Sequence, residues 1–161
     1  TTIIRFFTVY GPWGRPDMAL FKFTKNILNG DPINIFNYGK MKRDFTNISD
    51  LVEAIKLLIK VKPLKPKNRK SQISFDSISE TAPFRIVNIG NSKSISLIDF
   101  INELEKIIGI KAKKNFIGMQ DGDVSQTLSN IDLLEALTGF RPKKDIEEGV
   151  LEFVNWYKSY Y

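Results

Sequence analysis

Thr2-Ile3-Ile4-Arg5-Phe6-Phe7-Thr8-Val9-Tyr10-Gly11-Pro12-Trp13-Gly14-Arg15-Pro16-Asp17 is the stretch whose reading decides the fold. From Thr2 to Tyr10 it is dense in β-branched and aromatic residues, the composition of a strand buried on both faces inside a parallel sheet. A chain that opens on such a strand suggests that further sequence precedes it. Gly11 to Pro16, with two Gly and two Pro, then breaks the strand into a stiff loop. Asp17 is placed to cap a helix over Met18–Leu28, which Asn29-Gly30-Asp31-Pro32 ends with a Gly and a following Pro.

Outward from this stretch the same alternation continues. Ile33–Phe36 and Arg43–Asn47 read as short strands around the turn Asn37-Tyr38-Gly39-Lys40, and Ser49 as the cap of a helix through Lys60. Residues 61–83 form a basic and polar loop, and Phe84–Gly90 is a second apolar strand. Ser96 caps a helix that Gly109 stops at Ile108. Ala112–Ile117 reads as a strand, Gly118–Asp123 as a loop, and Ile131–Leu137 and Ile146–Tyr157 as helices. The class is therefore α/β, in one region over 1–161 with 1–10 and 84–90 as strands of its parallel sheet. In such sheets ligands bind beyond the carboxyl ends of strands. That singles out Tyr10–Asp17, the end of Ile33–Phe36, and Gly90–Ser94.

Composition narrows the chemistry. The 161 residues are 42% apolar and 26% charged, too apolar for a disordered chain and long enough to bury a core. No apolar run approaches a membrane span and no signal segment opens the chain, so no membrane role and a cytoplasmic location are expected. There is no cysteine and no histidine, which removes disulfides, thiol chemistry, a zinc centre of Cys and His, and a Ser-His-Asp triad. No metal site is expected. The net charge is +6, but Lys60–Lys70 carries cations and no acid, enough to account for the surplus. That run lacks interleaved aromatics, so it reads as a solvated loop rather than a nucleic-acid patch.

The residues offer several anion-binding candidates. Arg15 sits in a rigid loop after a strand, where a guanidinium suits a carboxylate or phosphate as well as a surface ion pair. Thr8 carries a hydroxyl inside an apolar strand. Arg43-Asp44 reads as either a ligand-binding pair or an internal ion pair. Tyr38 and Lys42 have Tyr-x-x-x-Lys spacing, but Gly39 and the flanking strands deny them one helical face. Asn47-Ile48-Ser49 matches a glycosylation sequon with nothing else to suggest secretion. The terminal aromatics Phe153, Trp156, Tyr157, Tyr160 and Tyr161 read as packing. There is no Gly-x-Gly-x-x-Gly turn and no P-loop.

The string Arg5–Ala19 closely resembles the C-terminal half of extended short-chain dehydrogenase/reductase nucleotide-sugar epimerases, and among them the UDP-glucuronate 4-epimerases. Asn37–Phe45, Arg85–Asn91, Gln120–Asp123 and Trp156-Tyr157 agree in order. The resemblance implies the substrate-binding portion of such a fold, carrying a few strands of the Rossmann-type sheet, with the N-terminal NAD-binding half missing. It implies no catalytic residue in this chain. In the complete enzyme NAD exchanges a hydride with the sugar C4, interconverting UDP-glucuronate and UDP-galacturonate through a 4-keto sugar. Because that intermediate is a β-keto acid, its carboxylate must be held where CO2 is not lost.

By matching positions, the resemblance assigns Thr8 and Arg15 to the carboxylate and Asn34 and Phe36 to the uracil. It assigns Arg43 to the diphosphate, Gln120 and Asp123 to diphosphate and ribose, and Phe6 and Phe7 to the nicotinamide end. Asp121 stands where these enzymes usually have Pro, and Asn47 and Ser49 where they usually have Tyr and Asp. The expected partners are a UDP-sugar and either the missing half or a second copy, without nucleic acid. Alternatives are a UDP-uronate decarboxylase or UDP-hexose epimerase fragment, a non-catalytic nucleotide-sugar binding module, or a basic nucleic-acid-binding protein.

Overall fold

A computed structural model describes residues 1–64 and 73–161. Strand β1 (Thr2–Phe6) pairs in parallel with β5 (Arg85–Ile89), Thr2 opposite Arg85. Strand β2 (Thr8–Tyr10) pairs in parallel with β4 (Lys42–Asn47), and β4 pairs antiparallel with β6 (Ser94–Ser96). A third pair joins β3 (Pro32–Ile35) in parallel with β7 (Lys113–Phe116). Helices α1 (Ala19–Asn29), α2 (Ile48–Ile59), α3 (Leu97–Ile108), α4 (Asp132–Thr138) and α5 (Ile146–Tyr160) cover these sheets. Among the described residues no helix is long and apolar enough to cross a membrane.

Several expectations need correcting. The opening segment is not one strand buried on both faces. It breaks at Phe7, and the two pieces pair with different partners, β5 and β4. Among the described residues β1 is bonded on one side only, and Ile3 (44% exposed) and Phe6 (54%) look outward. Asp17 does not cap α1: its carboxylate holds Arg15, and the N-cap position is Met18. Nor does Ser49 cap α2, since Asn47 Oδ1 accepts from the Ser49 N–H at 2.8 Å. Asn47 is 1% exposed in that role, so the sequon is inaccessible. The strand expected through Phe36 ends at Ile35, and Phe36 opens a 3-10 turn in which Asn37 and Tyr38 are left-handed. Strand β6 was not expected, because three residues are too few to show a period.

Other expectations hold. Ser96 Oγ accepts from Asp99 N–H at 3.0 Å, and α1 and α3 end at left-handed Gly30 and Gly109. Most of the basic run, residues 65–70, lies outside the described residues. Beyond it, Asp76 grips Arg85 bidentately at 2.9 and 2.8 Å with both side chains nearly buried, tying this segment to β5.

Two apolar clusters organise the packing. The larger joins α1, α3 and α5 to β3 and β4 around Phe100, Phe153, Ile27, Ile33 and Ile35. The smaller joins α2 and α4 to β5 around Ala54, Leu58, Val87, Ile89 and Leu134. Burial of these side chains is worth about 2 kcal/mol each, the term that carries the fold.

On the far side of α3, buried Glu105 anchors the entry to β7. Burial pushes its carboxyl up, but hydrogen bonds from Lys111 (2.8 Å), Lys114 (2.5 Å) and Ala112 N–H (2.9 Å) win and hold it down at about 2. The folded-state value lies below the unfolded one, so this stabilisation is complete above about pH 4.5 and lost as pH falls toward 2. Lys111 is mostly in water, which screens its share. Glu105→Gln is expected to cost about 2 kcal/mol at neutral pH and to flatten the acid limb of stability against pH, measured by urea unfolding between pH 2 and 7.

Candidate functional site

Where β2 ends, Tyr10 leads into the loop 11–18. Gly11 is left-handed (φ +138°), and a Cβ there would meet the Ile48 side chain, so only glycine lets the loop lie this close to α2. The loop closes on itself through Gly14 N–H to Gly11 O (3.2 Å) and Met18 N–H to Arg15 O (3.1 Å). Trp13 is left-handed too (φ 63°), at a cost of roughly 1–2 kcal/mol for a bulky residue. Its ring lies against Trp156 (centroids 5.3 Å) and Tyr160 (5.0 Å).

This loop, the end of β1, β2 and the start of α1 line an open cavity of about 440 Å³, with Phe153 of α5 on one side. Phe6, Phe7 and Arg15 line it, with Trp13, Met18 and Phe153. Thr8 does not: it faces Phe45 in the β2–β4 register, half-buried. Arg15 is exposed, and its guanidinium holds Asp17 in a bidentate pair, Nε to Oδ1 at 3.1 Å and Nη2 to Oδ2 at 2.9 Å. The fork is therefore already shaped to a carboxylate. Tyr10 also lines the cavity, but burial pushes its phenol well up, and its hydroxyl donates to Asp145 O at 3.4 Å. At neutral pH it remains a neutral hydroxyl and no base.

A second constellation forms where β4 meets the segment 117–129. That segment is laid along β4 and its preceding turn by Tyr38 N–H to Ile117 O, Lys42 N–H to Ser125 O and Thr127 N–H to Lys42 O. Arg43 Nη2 reaches Asp123 Oδ1 at 2.7 Å, joining two expected site residues that stand 80 positions apart. Gln120 lies three residues back in the same turn, its carbonyl accepting from Asp123 N–H at 3.2 Å. Asn34, on β3, accepts from Asn115 of β7 at 2.9 Å, and Phe36 begins the adjoining turn. Neither lies among the residues lining the Arg15 cavity, and neither do Arg43, Gln120 or Asp123.

Arg43 and Asp44 do not form the internal pair that their adjacency allowed. Alternation along β4 sends them to opposite faces. Asp44 is fully buried and takes Asn91 N–H (2.7 Å), Ser92 N–H (3.0 Å), Ser129 N–H (2.9 Å) and Ser129 Oγ–H (2.5 Å). It locks the Gly90–Ser92 turn, at the carboxyl end of β5, to the segment after Asp123. A Cβ on Gly90 would overlap Ser129, so glycine is required at that turn.

Reading the residues missed Trp13, which left a trace only in the spacing of aromatics on α5. It marked Asp44 as a partner for Arg43 but not its buried role, because most of its donors are backbone N–H groups.

Among the described residues no cluster of acidic side chains could hold a metal. For a dinucleotide, Phe6 and Phe7 offer one apolar wall, and the sequence has no glycine-rich phosphate turn.

Residues 1–73 match the model of the NAD dependent epimerase/dehydratase family. All of the chain is 52% identical to 47% of a probable UDP-glucuronate 4-epimerase of Rhizobium meliloti (strain 1021). Nearly all of it is 43% identical to 36% of UDP-glucuronate 4-epimerase 4 of Arabidopsis thaliana. A crystal structure of UDP-glucuronic acid 4-epimerase from Bacillus cereus with UDP-glucuronic acid and NAD superimposes with a TM-score of 0.81 at 31% identity. That match covers 99% of this chain and 46% of that one. The chain spans about half the length of the curated relatives it matches.

Proposed function

We propose, from homology to UDP-glucuronate 4-epimerases over about half their length, that this chain is the C-terminal, UDP-sugar-binding half of such an enzyme. The complete enzyme would epimerise UDP-glucuronate at C4. NAD, when bound, supplies the hydride acceptor and donor for that step. The residues of this chain bind and orient.

Arg15 takes the uronate carboxylate through the fork that Asp17 now fills, with Thr8 behind it on β2. Holding the carboxylate fixed keeps its bond to the ring out of line with the neighbouring ketone, so CO2 is retained. Arg43, steadied by Asp123, takes the diphosphate, with Gln120 beside it. Asn34 and the Phe36 turn lie at the base end, and Phe6 and Phe7 at the nicotinamide end. The half-exposed outer side of β1 is where further strands of an NAD-binding sheet would join. No residue here takes the part of catalytic base, so turnover belongs to the complete enzyme.

The observation that carries this reading is the bidentate carboxylate already seated on Arg15 at the cavity wall. Calorimetric titration of the chain with UDP-glucuronate, UDP-glucose and UDP tests it. UDP-glucuronate is expected to bind about tenfold more tightly than UDP-glucose, a difference of about 1.4 kcal/mol. Arg15→Ala should erase that difference while leaving UDP unchanged. Equal affinity for the two sugars, or no binding, overturns the proposal.

A further inference from the structure

Helix α5 meets the cavity loop along a single face. Gly149 lies beneath Tyr10, where the loop begins: a Cβ on Gly149 would collide with the Tyr10 ring and hydroxyl. One turn on, Phe153 underlies Gly14, whose own Cβ would stand 3.7 Å from its ring. Trp156 and Tyr160 then carry the Trp13 ring. Positions 149, 153, 156 and 160 are four, three and four apart, the spacing of one helical stripe. Trp156 also stacks on Tyr160 (5.8 Å, 24°) and leans on Phe153 (5.3 Å), so the stripe is continuous.

Two details indicate that burial alone does not account for these rings. Trp13 stays 71% exposed although its backbone is held in a region unfavourable to it. Trp156 Nε1 is buried without a hydrogen-bond partner, which a purely apolar ring would avoid. Both indoles sit at cost where their rings meet, tilted by 50°. Arg15 is two residues beyond Trp13, and Gly14 between them bonds back to Gly11, so a shift of Trp13 swings the guanidinium.

We infer that the Gly149–Phe153–Trp156–Tyr160 face of α5 is the template for the 11–15 loop, with Trp13 as its key. Trp156 and Tyr160 are thereby positioning residues for the preference for a uronate over a neutral hexose. The preference rests on the carboxylate reading of Arg15; the template does not.

The test uses the 161-residue chain with Trp156→Leu, Trp156→Phe, Tyr160→Ala and Tyr160→Phe. Hydrogen exchange follows the Gly14 and Met18 amides against Ile89 and Phe100, which belong to the two cores. Calorimetry follows UDP-glucuronate, UDP-glucose and UDP. Trp156→Leu and Tyr160→Ala are expected to speed exchange of the two loop amides at least tenfold, with the core amides unchanged. The preference for UDP-glucuronate should fall at least fivefold and UDP affinity should stay. The phenylalanine variants, which keep a ring face, should keep both.

Tyr160 is mostly in water, so its variant tests the template without threatening the fold. Loop amides exchanging at wild-type rates in both truncations overturn the template. A loosened loop with an intact uronate preference overturns the positioning role. A wild type without uronate preference, but with loosened loops in the truncations, overturns the carboxylate reading and supports the template.

Discussion

Asp44→Ala lowers the unfolding free energy by about 4 kcal/mol, because it strands buried donors rather than merely removing contacts. Asn91 and Ser129 would each keep a backbone N–H facing a space that the carboxylate filled, Ser92 N–H would keep only Ser129 Oγ, and Ser129 Oγ would lose its acceptor. Each such loss is worth about 1–3 kcal/mol, and partial entry of water keeps the sum below the full total. The isosteric Asp44→Asn separates shape from charge. One carboxylate oxygen takes three donors and the other takes only the Asn91 N–H. An asparagine will turn its carbonyl to the three and oppose its NH2 to Asn91, so about half the loss is expected. Urea unfolding with unchanged m-values checks both; a loss under about 1 kcal/mol for alanine contradicts this account.

Gly149→Val is the second large effect, expected to cost about 2–3 kcal/mol through overpacking. Valine is a slightly better helix residue than glycine, by a few tenths of a kcal/mol, which cannot offset the collision. The obstacle is the Tyr10 ring, buried in the larger core with its hydroxyl donating to Asp145 O, so displacing it costs packing and that bond. Alanine sharpens the comparison, since it gains nearly 1 kcal/mol of helix propensity and introduces only the Cβ. Gly149→Ala should therefore lose less than half as much. Thermal and urea unfolding of the two variants measure the difference, and a valine variant as stable as the parent would contradict the close approach of α5 to β2.

How much of this could be read beforehand depends on where the information lay. Ser96 with its N-cap bond, and Gly30 and Gly109 at helix ends, are local chemistry, and they were legible residue by residue. The break at Phe7 was not, because an unbroken apolar run carries no mark of where it changes partner. Asp17 and Ser49 were misread as caps because a cap is chosen by competition: Arg15 claimed one, and Asn47 stood better placed than the other.

The Arg43–Asp123 meeting spans too much chain for spacing to reveal; the residues alone marked Arg43 only beside Asp44, and the family resemblance set Arg43 and Asp123 against one ligand. That resemblance likewise marked Thr8, which the fold sets in a strand pair rather than on the cavity wall. The stiff loop left Arg15 open to a bound anion or a surface ion pair, and the fold shows the ion pair, with Asp17.

The parallel pairing of β1 with β5 also bears on the moment of synthesis. Arg5 and Asn88, bonded across that pair, are 83 residues apart. At a ribosome adding roughly 5–20 residues per second, β1 waits several seconds for β5. Among the described residues the three parallel pairs all close over long separations. Such closures exact their entropy before any sheet contact repays it. The side of β1 that β5 covers is thus open to chaperone capture, and to pairing with copies of itself on a polysome, until β5 emerges.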